Sequence, residues 1–226
     1  MAESGMARHK RGFDSHSATR ALSRSDPAFR PWLKRIGSLD YSAQWKKPFE
    51  VTDALARAIL YQQLSGKAAA TIVGRVELAM GDNRFCQRSI GKLTDEQFRA
   101  CGVSGNKTLA LRDLARRAVS GEIPQSRQLQ YMDNQQIINA LVPTRGIGRW
   151  TVEMMLMFRL GRPDVLPIDD LGIRKGVQLL DGLDVMPAPK VLLDRGARWS
   201  PCQTMASFYL WRIADFRSAP VKRSQD

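Results

Sequence analysis

Leu141–Gly176, LVPTRGIGRWTVEMMLMFRLGRPDVLPIDDLGIRKG, is the most informative stretch of the chain. Gly146 and Gly148 flank the apolar Ile147, a pattern that turns the backbone tightly and lets it approach a ligand closely. Val152, Met155 and Leu156 then fall at i, i+3 and i+4, and Met154, Met157 and Phe158 widen the stripe. That spacing predicts a well-buried helix over Arg149–Leu160, with Ile147 anchoring the turn in the core. The free N–H groups and positive dipole end of such a helix hold phosphate without a basic side chain. Further on, Pro167 interrupts the chain and Asp169-Asp170 open a new helix. A Gly-Ile-Gly alone also fits a purely structural turn, and an Asp-Asp pair alone also fits a helix cap. Their combination pairs a phosphate grip with a positioned carboxylate.

Composition points the same way. Lys and Arg number 35 against 22 Asp and Glu, a formal net charge of +13, so a polyanion is the favoured partner. No apolar run is long enough for a membrane span, and no secretory signal is visible. Cys86, Cys101 and Cys202 are scattered and odd in number, as expected of reduced thiols inside a cell. The two histidines, His9 and His16, lie near the start, which argues against a histidine metal site or catalytic dyad.

The rest of the chain reads as helix. Residues 1–22 are polar and basic and are expected to be a disordered tail. Helices are expected over Pro27–Ser38, over Asp53–Gln63 with Thr52 as cap, and over Ala68–Met80. Thr94 with Gln97 forms a capping-box pattern. Lys107–Ser120 alternates basic and apolar residues at helical spacing, Asp133 starts a helix through Leu141, and Ser200–Phe216 closes the fold. No period-two strand pattern and no solenoid repeat is present.

With these motifs together, the chain resembles the helix-hairpin-helix DNA glycosylase superfamily, in its short 3-methyladenine DNA glycosylase II form. The resemblance runs from about Asp26 to Phe216 and rests on Gly146–Glu153, on Pro167–Gly172 and on Gln62-Gln63-Leu64-Ser65. Cys101-Gly102-Val103-Ser104, with Lys107 after it, resembles a further family loop. The resemblance implies an all-α fold of two helical lobes with a DNA-binding cleft between them. Residues 23–44 and 163–226 would form one lobe and residues 45–162 the other.

The same resemblance implies a monofunctional enzyme of base excision repair that flips out alkylated purines and hydrolyses their N-glycosidic bond. Candidate bases are 3-methyladenine, 7-methylguanine and ethenoadenine. It places the catalytic carboxylate at Asp170, with Asp169 as the alternative, and the base pocket at Trp150, Trp211 and Tyr61. Leu64 would wedge into the gap left by the base, with Gln63 and Ser65 beside it. Gly146, Gly148, Arg149, Thr151 and Lys107 would contact phosphate. The carbonyls of Val142, Thr144 and Ile147 would hold a Na+ or K+ ion bridging to DNA. Trp32, Trp45 and Trp199 carry no motif and read as packing residues.

The chain also departs from wider family patterns. Bifunctional relatives place a Schiff-base lysine in the hairpin helix, where this chain has Trp150. The four-cysteine spacing of the iron–sulfur relatives is missing, and the segment before residue 26 is too short for an N-terminal sheet domain. The partner is therefore expected to be damaged double-stranded DNA. The protein is expected to be an intracellular monomer, in cytoplasm or nucleoid of a bacterium or nucleus of a eukaryote, without a required cofactor. A bifunctional glycosylase/lyase and a non-catalytic DNA-binding module are the alternatives. A basic membrane-surface protein would need an amphipathic helix with one continuous basic face, which the sequence lacks.

Overall fold

The computed structural model describes residues 8–218, and the first seven residues of the tail expected over residues 1–22 lie outside them. In chain order the helices are α1 (Ser15–Ser25), α2 (Arg30–Ile36), α3 (Ser42–Lys46), α4 (Val51–Tyr61), α5 (Gly66–Met80), α6 (Gln87–Gly91) and α7 (Asp95–Ala100). They continue with α8 (Gly105–Val119), α9 (Asn134–Leu141), α10 (Arg149–Met155), α11 (Leu171–Leu180), α12 (Pro189–Gly196) and α13 (Gln203–Ser218). No strand occurs among the described residues, so the fold is all-α. None of the described helices is long and apolar enough to cross a membrane. The described residues divide into two compact units, the first of residues 8–10 and Pro48–Met155, the second of Arg11–Lys47 and residues 156–218.

In the first unit, α4, α5, α8 and α9 each turn an apolar stripe inward. Leu55, Ile59 and Leu60 of α4, Val73 and Val76 of α5, Leu111 and Leu114 of α8, and Ile137 and Leu141 of α9 are buried. Each such aliphatic side chain contributes roughly 1.5–3 kcal/mol relative to exposure. Caps set the boundaries. Thr94 and Gln97 form the capping box that starts α7, and Asp133 with Gln136 forms another at α9. Thr52 is not a cap. The helix starts two residues earlier, at the buried Val51, and Asp53 instead accepts the Phe85 N–H and the Arg57 guanidinium.

In the second unit, α11 packs along α13, with Ile173, Val177, Phe208 and Leu210 in its core. The expected disordered tail is corrected here: Ser15–Ser25 is helix α1, capped by Asp14, and Ala18 and Leu22 are buried. Its packing against α13 supplies the burial that its polar composition conceals. Asp26, itself buried, accepts the Trp199 indole N–H at 2.8 Å and lies 2.6 Å from the Arg195 guanidinium, which also pairs with Asp181. Burial alone would raise the Asp26 carboxyl, but Arg195 and Trp199 hold it below the usual carboxylate range. Trp45 and Trp199 are buried packing residues, as read from the sequence.

The helix expected over Arg149–Leu160 changes form within its length. It is α-helical to Met155 and then makes one π-turn over Leu156–Leu160. Within the second unit, carbonyls of that turn are taken from outside it: Trp45 Nε1 donates to Met157 O at 2.9 Å, and Arg11 donates to Arg159 O. The Gly12 N–H donates to Leu160 O at 2.9 Å. A π-turn widens the helix and re-aims its side chains, here including Phe158.

Candidate active site and nucleic-acid interface

The hairpin lies in the first unit. The chain leaves α9 at Val142, Thr144 N–H bonds back to Leu141 O, and Ile147 N–H bonds to Thr144 O, closing the turn. Gly146 has φ +77°, which disfavours any residue with a Cβ, and Ile147 is buried beneath the turn. Arg149 opens α10 and pairs with Glu153 at 2.8 Å, while Trp150 is 49% exposed. Thr144 is buried, and its hydroxyl has no hydrogen-bond partner.

The Gln62–Ser65 turn follows α4. Gln63 adopts φ +56°, Leu64 is 39% exposed, and Tyr61, the last residue of α4, is also exposed. Ser65 is the N-cap of α5, and its hydroxyl accepts the Ala68 N–H. Lys107 also departs from its expected role. Its Nζ donates to the carbonyls of Leu60 and Gln62, each at 2.8 Å, so it closes the C-terminal end of α4 rather than reaching for phosphate. Burial pushes its ammonium below its ordinary value. A lysine three residues after a helix cap gave no sign in the sequence that it would turn inward.

The carboxylate lies in the second unit. Asp170 is the N-cap of α11 and accepts the Ile173 N–H at 2.9 Å. The same Oδ1 accepts the Trp211 indole N–H at 2.8 Å. Asp169, one residue earlier, is exposed. Gly172 makes the indole contact possible, since a Cβ there would lie 2.8 Å from Trp211 Cδ1 and 3.1 Å from Asp170 Oδ1. Trp211 stacks on Phe158, with ring centroids 5.8 Å apart and planes 17° apart. Phe158 and Phe208 both meet Tyr41, so an aromatic group extends from Trp211 to α3. Phe158, Tyr41 and Gly172 were not singled out from the sequence. In the sequence Phe158 reads only as widening the apolar stripe of its helix, and nothing local marks Tyr41. The glycine two residues after Asp170 is a signal that could have been read.

The fold and these two sites define a class: a helical protein with a glycine hairpin and an aspartate-capped helix bearing an aromatic wall. The chain belongs to the HhH-GPD superfamily of base excision DNA repair proteins, whose pattern matches residues 56–201. It is 36% identical over 207 residues to DNA-3-methyladenine glycosylase 1 of Schizosaccharomyces pombe, with 89% of each chain covered. The solved structure of the S. pombe 3-methyladenine DNA glycosylase in complex with abasic DNA superposes with a TM-score of 0.75 at 34% identity, covering 87% of this chain and 95% of that one. A DNA-3-methyladenine glycosidase from Bacillus halodurans superposes with a TM-score of 0.80 at 30% identity, covering 89% and 90%.

Proposed function

We propose that this protein is a monofunctional DNA glycosylase that extrudes alkylated purines from double-stranded DNA and hydrolyses their N-glycosidic bond, acting as a monomer. The observation that carries this reading is Asp170, a carboxylate fixed by both a helix N-terminus and the Trp211 indole. Family membership and the S. pombe and B. halodurans relatives support the substrate class.

The chemistry needs one carboxylate. Ordinary glycosidases use two, one of them to protonate the leaving group. A purine alkylated at N3 or N7 already carries positive charge, so when the C1′–N bond breaks the electron pair goes to the base, which leaves neutral. The sugar then bears oxocarbenium character, which a fixed anion at Asp170 stabilises electrostatically. Water adds to C1′, and its proton passes to Asp170 or to solvent.

In the second unit Trp211 offers an indole face to a cationic base, an attraction of about 0.5–2 kcal/mol; in the first unit the exposed Trp150 and Tyr61 are read as base-contacting aromatics from the family resemblance. Leu64 serves as the wedge, with Gln63 beside it. The hairpin at Gly146 and Gly148, with Arg149 and Thr151, grips phosphate. A Na+ or K+ ion held by the carbonyls of Val142, Thr144 and Ile147 would add positive charge there, and the buried, unpartnered Thr144 hydroxyl fits a polar environment at that turn. The test is release of free base from duplex DNA carrying 7-methylguanine by the purified protein. No base release from any alkylated purine would contradict the proposal.

A further inference from the structure

In the first unit, one face of α8 holds two separate elements. Lys107, near its N-terminus, donates to the carbonyls of Leu60 and Gln62 at the end of α4. Ala110, three residues on, lies against the hairpin, where a Cβ on Gly146 would come within 3.2 Å of its own Cβ. Asp113, three further on, accepts the Arg145 backbone N–H at 2.9 Å and is itself fixed by Arg116 and Arg117. Gln62 closes the frame: its Nε2 donates to the Gly146 carbonyl at 2.7 Å.

The turn gripped this way contains Gln63 at φ +56°. A residue with a Cβ holds that conformation only where its surroundings over-determine it, and such positions gather at clamps and switches. Here the carbonyl before Gln63 is held by Lys107 and the side chain before it by the hairpin. Leu64 follows directly, and Ser65 pins the far side of the turn as the cap of α5.

We propose that Lys107 and Gln62 are positioning residues that lock the Gln62–Ser65 turn to the glycine hairpin, so that gripping a phosphate sets the depth at which Leu64 enters the base stack. This rests on the reading of Leu64 as wedge and of the hairpin as phosphate grip. A rigid link lets binding free energy from the phosphate contact drive base unstacking, because the turn is formed before DNA arrives. A misplacement of about 1 Å in such an arrangement is enough to cost on the order of a hundredfold in rate.

The test uses the full chain and a duplex with 2-aminopurine beside a tetrahydrofuran abasic analogue, where insertion of a wedge raises fluorescence. Lys107→Met and Gln62→Met keep the side-chain stems and remove the donors. The expected result is a duplex affinity whose salt slope matches the parent protein, with the insertion phase slowed by at least about tenfold. A salt slope reduced by about one in Lys107→Met, with unchanged insertion, would make Lys107 a phosphate contact and overturn the proposal. Should Lys107→Met fail to fold, Gln62→Met decides, since its bond lies on an exposed part of the turn. Leu64→Ala separates the two layers. A signal unchanged by Leu64→Ala removes the wedge reading itself. A signal lost in Leu64→Ala but intact in both methionine variants overturns the coupling alone.

Discussion

The Trp211 indole N–H donates to Asp170 Oδ1 at 2.8 Å, while the other edge of the contact is cleared by the absent side chain of Gly172. This gives Trp211 a positioning duty beside the base stacking proposed for it. Trp211→Phe keeps an aromatic face and removes the donor, so single-turnover excision should fall by about ten- to a hundredfold. Affinity for abasic-analogue duplex, which offers no base to stack, should stay within about twofold on the same reasoning that only positioning is lost. Replacement of Trp211 by 3-benzothienylalanine, which has sulfur in place of the N–H, should reproduce the loss. Full excision by that variant would leave stacking as the only role of Trp211.

Gly172→Ala provides an independent check. The added methyl would press between the indole and the carboxylate, at 2.8 Å from Trp211 Cδ1. Excision should drop as in Trp211→Phe, with far-ultraviolet circular dichroism unchanged. Parent-level excision by a folded Gly172→Ala protein would show that the indole bond does not matter for the reaction.

At the hairpin the two glycines should separate. Gly146 has positive φ and little room beside Ala110, so Gly146→Ala should lower both stability and DNA affinity. Gly148 has no heavy atom within 4 Å of a would-be Cβ, so a bulkier residue there tests close approach of a ligand with little strain in the fold. Gly148→Leu should weaken binding to every duplex sequence alike, because a phosphate contact reads no bases. Undiminished duplex affinity in a folded Gly148→Leu variant would remove the hairpin from the interface. Binding isotherms over a range of salt are the measurement.

Asp26 links stability to pH. Its folded carboxyl is held below its unfolded value of about 3.9, so its contribution is complete above that pH and is lost as pH falls through the folded value. Asp26→Asn should cost roughly 3 kcal/mol at pH 7, the low end for breaking a buried ion pair because Arg195 keeps Asp181. Urea unfolding should show the gap between the two proteins narrowing by pH 3. An equal gap at both pH values would assign the cost to packing alone.

Sequence and structure agree where the determinants are local. Asp133 with Gln136, and Thr94 with Gln97, announce helix starts because a cap needs only four residues. Pro167 and Asp170 announce α11 in the same way. What escaped the sequence depends on distant partners. Helix α1 looks like a polar tail until its packing against α13 is seen, and the π-turn at Leu156–Leu160 has no local signature, its carbonyls being met by Trp45, Arg11 and Gly12. In the sequence Lys107 reads as a phosphate contact, and only the folded position of Leu60 and Gln62 turns it inward.

The central claim, hydrolysis by one positioned carboxylate, is tested most directly by single-turnover reaction of the protein and of Asp170→Asn with 7-methylguanine duplex DNA. Asparagine caps a helix as well as aspartate does, so α11 should stay intact while the charge is removed. The account predicts that the parent releases free base and leaves the strand whole until alkali is added, with no complex trapped by borohydride. Asp170→Asn should bind abasic-analogue DNA but excise about a hundred- to a thousandfold more slowly, the scale of losing one preorganised electrostatic contact. Near-parent excision by Asp170→Asn, or strand cleavage without alkali together with a borohydride-trapped complex, would contradict it.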